Sequence, residues 1–105
     1  MAQAPYHVIL MNEALADLQR LAQYVRVDSP QNAPIVAKMI VDAIDSLGFM
    51  PNRFRCVGKT RKRQSPVHAM SVPPFIIYYR VYEQGRAVRI LAVRHGAQRQ
   101  PRRFG

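Results

Sequence analysis

Two apolar runs separated by a glycine-bearing break constrain this chain more than any other feature. Phe75 to Tyr82 reads FIIYYRVY, and Ala87 to Arg94 reads AVRILAVR. Both are rich in β-branched and aromatic residues, which suit a pleated, half-buried surface. Between them, Glu83-Gln84-Gly85-Arg86 supplies a four-residue loop, with Gly85 able to take positive φ. The pattern predicts an antiparallel β-hairpin that ends in Arg94-His95-Gly96, with Arg99, Arg102 and Arg103 following.

Alternation along the first strand puts Phe75, Ile77, Tyr79 and Val81 on one face and Ile76, Tyr78, Arg80 and Tyr82 on the other. An unpaired guanidinium is costly to bury. Arg80 is therefore expected to point away from the core, flanked by Tyr78 and Tyr82. In the second strand Val88, Ile90, Ala92 and Arg94 alternate with Arg89, Leu91, Val93 and His95. Alternation alone does not choose between these sets. Taking Leu91 and Val93 as inward places Arg94 on the open face near Arg80.

The N-terminal half has a different character. Tyr6 to Met11 is a short apolar run, read as a first strand, and Asn12 is the expected N-cap of a helix ending near Asp28. Leu15, Leu18, Ala22 and Val25 recur at helical spacing and are expected to form its buried stripe. A second helix opens at Ser29-Pro30, or a few residues later with Asn32 as cap, because Pro34 lies past the positions that tolerate a missing amide. Val36, Ile40, Ala43 and Leu47 form its stripe, Gly48 is the expected C′ residue and Pro51 the stop. From Phe49 to Ser71 there is little periodicity. Lys59 to Arg63 is expected to be a loop, and Val67 to Met70 a further strand leading to Pro73-Pro74. The order β-α-α-β-β-β predicts an α+β fold, an antiparallel sheet with a helical hairpin on one face. At 105 residues this is one domain, spanning 1–105.

Charge is distributed unevenly. Residues 1–50 carry three cations and five anions, a net −2; residues 51–105 carry thirteen cations and one anion, a net +12. A half so basic implies an anionic partner, either nucleic acid or an acidic protein segment. One cysteine, Cys56, excludes an internal disulfide and a cysteine-based zinc site. The absence of an apolar run of about 18 residues excludes a membrane span, and a cytoplasmic location is expected.

Candidate chemistry gathers near the end of the hairpin. Arg80 and Arg94, near Tyr78, could hold a phosphate while a tyrosine or His95 moves a proton, or they could grip a carboxylate of a partner. Both uses rely on the same fork geometry. Lys59, Arg61, Lys62 and Arg63 form a charge run suited to a solvated loop or a nucleic-acid contact. His7 and His68 are too scattered to form a metal site with His95, and neither a metal nor a cofactor is expected. No phosphate-binding glycine loop or Ser-His-Asp arrangement is visible.

The ordered set of these pieces resembles the RelE/ParE superfamily of toxins from type II toxin–antitoxin pairs, also called plasmid stabilisation systems. The most specific parts are Ile77-Tyr78-Tyr79-Arg80-Val81 and Val93-Arg94-His95-Gly96-Ala97 with Arg99; the start of the second helix at Ser29-Pro30 and its end at Leu47 and Pro51 also fit. The resemblance implies a neutralising antitoxin, here expected to be acidic and to fold on binding. It implies two possible targets. RelE-like members cut mRNA on the ribosome, for which Arg80, Arg94 and His95 are the candidate catalytic residues. ParE-like members poison DNA gyrase. Val67, His68, Ala69 and Met70 stand where the nucleases place lysines, Ile76 where they tend to carry an arginine, and no tyrosine follows Tyr82. The ParE-like reading is therefore preferred. Its target- or antitoxin-binding candidates are Tyr78, Arg80, Tyr82, Arg94, His95, Arg99, Arg102 and Arg103.

Overall fold

The computed structural model describes residues 5–57 and 66–95. The elements run β1 (His7–Leu10), α1 (Asn12–Asp28), α2 (Ala33–Ser46), a short 3-10 turn (Pro51–Arg53), β2 (Cys56–Val57), β3 (Val67–Val72), β4 (Phe75–Tyr82) and β5 (Ala87–His95). The five strands form one sheet in the order β1-β5-β4-β3-β2. The fold class is the α+β arrangement expected, with the helical hairpin on one face. One pair departs from the antiparallel pattern: β1 runs parallel to β5, from His7 opposite Ala87 to Leu10 opposite Ile90. The helical hairpin and strands β2 to β4 intervene between these strands, and this long crossover returns β5 beside β1 in the same direction. β2, too short to show an alternation, adds an unexpected edge strand by pairing Cys56 with His68 and Val57 with Val67.

The core lies between the helices and one face of the sheet. Ala14 of α1, Ile40 and Ile44 of α2, Leu47, Met70, Phe75, Ile77, Tyr79, Val81, Val88, Ile90 and Val93 are buried there together. The stripe expected of α2 is the one observed, and Asn32 precedes its first residue. In α1 the buried face is offset from expectation. Met11 occupies the N-cap position and Asn12 is already helical. Ala14 and Asp17 are the buried positions, Leu18 and Leu21 pack beside them, and Leu15 is 45% exposed.

The expected inward set of β5 needs a more specific correction. Tyr78 pairs with Ala92 and Tyr79 with Ile90, so Leu91 is an extra residue in β5. This bulge reverses the alternation. Val88 and Ile90 face the helices before it and Val93 after it, while Leu91 and Ala92 both join Tyr78, Val57, Val67 and Ala69 in a smaller cluster apart from the main core. Each of the two sets read from sequence is thus right for part of the strand.

Two glycines play different roles. Gly85 takes φ +80° in the β4–β5 turn. Gly48 does not supply the left-handed residue after α2; Met50 does, at φ 48°. A Cβ on Gly48 would sit 3.3 Å from the carbonyl oxygens of both Asp45 and Tyr6, so this glycine is needed for close approach. The Tyr6 amide donates to its carbonyl at 2.8 Å, tying the start of β1 to the end of α2.

Candidate functional site

The residues picked out in β4 and β5 do not converge on one point. Arg80 lies opposite Arg89, whereas Arg94 lies opposite Ile76, four residues away along β4. At the rise of a strand this is roughly 13 Å between backbones, too far for a two-pronged grip on a single phosphate as read from sequence. Tyr78 and Arg80 are buried, at 4% and 7% exposure, and so do not stand open on the sheet face. Tyr78 is packed in the second apolar cluster, with Val57, Val67, Ala69, Leu91 and Ala92. Tyr82 is half-buried, and the Arg89 guanidinium sits 4.7 Å from its ring centre. Arg99, Arg102, Arg103, Lys59, Arg61, Lys62 and Arg63 lie outside the described residues.

Arg94 and His95 meet instead at the far end of β5, beside α1. β1 stops at Leu10, opposite Ile90, so the last part of β5 has a free edge on that side. Asp17 covers it. One carboxylate oxygen, Oδ2, accepts the Val93 amide hydrogen at 3.0 Å and lies 3.5 Å from Arg94 Nε. The other, Oδ1, accepts from the Arg20 guanidinium. Asp17 is 3% exposed, whereas the Arg20 side chain is 67% and that of Arg94 30% exposed. A buried carboxylate needs such partners, because isolated burial of its charge would be prohibitive. Asp17, Arg20, Leu21, Tyr24, Val93, Arg94 and His95 line a cleft of about 450 Å³. The His95 ring stands edge-on to Phe75 at 5.8 Å. Sequence reasoning missed Asp17. The available signal was its place between Ala14 and Leu21 on the same helical face.

Cys56 and His68 also come together, with Sγ 3.8 Å from Nδ1. This is not a nucleophile–base pair. His68 Nδ1 is 2.9 Å from the Phe54 carbonyl oxygen, which can only accept, so that nitrogen carries the proton and cannot take one from the thiol. His68 stacks on Tyr79 at 5.1 Å, and the Tyr79 hydroxyl donates to the Pro51 carbonyl at 2.6 Å. Burial pushes the Tyr79 hydroxyl up to about 12, with Arg53 opposing. This cluster anchors β3 and β4 to the segment after α2.

A second surface lies between the helices. Leu18, Leu21, Val25, Val36, Ile40 and Val41 are among the residues lining an apolar groove of about 200 Å³. Tyr24, Val27 and Ile35 add exposed apolar area on the same two helices. Among the described residues no group of three metal-ligating side chains occurs, and no helix is long and apolar enough to cross a membrane.

Comparison with known proteins gives this geometry its context. Toxin RelE2 of Caulobacter vibrioides is 34% identical over 85 residues, covering 81% of this chain and 89% of that protein. The chromosomal ParDE toxin–antitoxin system of P. aeruginosa contains a chain of the same fold, with TM-score 0.66 at 19% identity, covering 89% of this chain and 98% of that one. The archaeal RelE–RelB complex of Pyrococcus horikoshii gives 0.64 at 14% identity, covering 90% and 99%. The RelBE2 toxin–antitoxin complex of Mycobacterium tuberculosis gives 0.58 at 23%, covering 87% and 98%. The family described as ParE toxin of type II toxin-antitoxin system, parDE, matches residues 8–100. With the match spanning nearly the whole chain, the protein belongs to the ParE toxin family, within the RelE/ParE superfamily, and is the toxin of a type II toxin–antitoxin system.

Proposed function

We propose that this toxin is ParE-like in action: it binds and poisons DNA gyrase in the cytoplasm, and a cognate antitoxin neutralises it. The observation that carries this reading is the dispersal, among the described residues, of the cations of β4 and β5. A nuclease must stabilise a pentavalent phosphate with several convergent donors. Here Arg80 is buried and four residues along the strand from the level of Arg94, Arg89 lies against Tyr82, and Arg94 is drawn toward Asp17. Tyr78, two residues from Arg80 on β4, is packed in an apolar cluster with Val57, Val67, Ala69, Leu91 and Ala92. This arrangement supports action by binding. The groove between α1 and α2 supports an antitoxin segment that is amphipathic, and the charge of the second half supports one that is also acidic.

The alternative is a RelE-like ribosome-dependent mRNA endoribonuclease. Exposed His95 beside Arg94, together with a 34% identical relative named Toxin RelE2, favours it. Purified protein freed from its antitoxin decides between them. It is expected to block supercoiling of relaxed plasmid by gyrase and to leave linear DNA after detergent and protease treatment, while mRNA on programmed ribosomes stays intact. Cleaved mRNA with unimpaired gyrase would overturn the gyrase reading in favour of a nuclease using Arg80, Arg94 and His95.

A further inference from the structure

Asp17 is the one buried carboxylate reached by two guanidinium groups among the described residues, and its position is hard to explain by stability alone. An apolar residue there would leave the Val93 amide unpaired, but a neutral acceptor would satisfy it equally well. The charge has a separate effect. Arg94 Nε is itself buried and makes no hydrogen bond, so the carboxylate 3.5 Å away is what compensates it electrostatically. The rest of the Arg94 side chain reaches the cleft, next to His95.

We propose that Asp17 is a positioning residue: from α1 it fixes the edge of the last residues of β5 and orients the Arg94 guanidinium, so that Arg94 and His95 are presented together along the cleft to the toxin's target. The proposal rests on the reading of Arg94 and His95 as target contacts. It does not depend on which target is struck. Through the Val93 amide, Asp17 sets where the strand ends; through its charge, it sets where the guanidinium points. Arg20, more exposed, shares the carboxylate from the outside and leaves Oδ2 to the strand.

Asp17→Asn separates the two roles, because it keeps an oxygen for the Val93 amide and removes the charge facing Arg94. Growth inhibition at matched expression is measured for Asp17→Asn, Arg94→Ala and the double variant. Arg94→Ala is expected to weaken inhibition about tenfold, as loss of a charged interface contact does. Asp17→Asn should come close to this, and the double variant should lose no more than Arg94→Ala, since a residue acting through Arg94 then has nothing to act on. In nitrogen-labelled protein, Asp17→Asn should keep slow exchange at the Val93 amide while the Arg94 Nε–H resonance shifts and exchanges faster. Full toxicity of Asp17→Asn, or losses that add in the double variant, would overturn the proposal. So would loss of Val93 protection together with toxicity, which would make Asp17 purely structural. Because growth is the readout, a negative gyrase assay counts against the target alone and a failed cycle against Asp17 alone.

Discussion

Tyr79 is completely buried, and its hydroxyl is satisfied by the Pro51 carbonyl, a residue 28 positions earlier. Tyr79→Phe removes the donor and leaves that carbonyl unpaired, which should cost about 1–3 kcal/mol in a urea titration. The same hydroxyl gives a pH signature. Its folded value, about 12, lies above the ordinary 10.0, so its contribution is complete below pH 10 and is lost as pH rises toward 12. Wild-type protein should therefore lose stability over that window more steeply than Tyr79→Phe; parallel curves would contradict the assignment. At the other end of the sheet Glu83 accepts from the Tyr6 hydroxyl at 2.6 Å and from Asn52 at 3.0 Å, and these bonds hold its carboxyl below the usual range. The Arg86 guanidinium lies 4.2 Å from the Tyr6 ring centre, so the β4–β5 turn is clasped to the beginning of β1.

Single substitutions on the helices test the placement of whole elements. Ile40, 3% exposed, faces the sheet, and Ile40→Ala should cost about 2–5 kcal/mol. Leu15 is 45% exposed, and Leu15→Ala should cost under about 0.5 kcal/mol. Equal losses on thermal unfolding would mean that the α1 stripe is not the one described. The contrast also explains how far the elements were legible in the sequence. The buried face of α2 was read correctly because its apolar residues alone mark it, whereas an opening at Ser29-Pro30 is too early: the helix begins at Ala33, after the alternative start at Asn32. In α1 a carboxylate takes a buried position, so a search for apolar spacing slides by one residue onto Leu15. β4 was legible throughout, since its alternation is unbroken. β5 was not, because a bulge carries no composition of its own and Leu91 suits either face. Arg80 was placed on the correct face but expected to be open; the smaller cluster that packs that face is assembled from β2, β3, β4 and β5, and no single stretch announces it. The Asp17–Arg94 pairing joins residues 77 apart, beyond the reach of any local pattern.

For the molecule as a whole, the apolar interhelical groove faces water in the free protein, and the second half of the sequence carries a strong positive charge. A partner that covers both should stabilise the fold by mass action. Titrating the purified toxin with the protein encoded beside it should raise the melting temperature progressively, and added salt should weaken the complex through its charged part. A melting temperature indifferent to that protein would remove the basis for an acidic, amphipathic partner. The parallel pairing of β1 with β5 adds a consequence for how the toxin comes into being. Among the described residues His7 to Leu10 finds its only strand neighbour in Ala87 to Ile90, so β1 waits for β5. Such distant pairing slows folding, because loop entropy is lost before contacts reward it. Asp17 likewise emerges early and meets Val93 and Arg94 only when β5 is in place. Until β5 docks, the first strand and the Asp17 carboxylate both lack their β5 partners, while the helical hairpin, which lies between β1 and β5 in sequence, has already emerged.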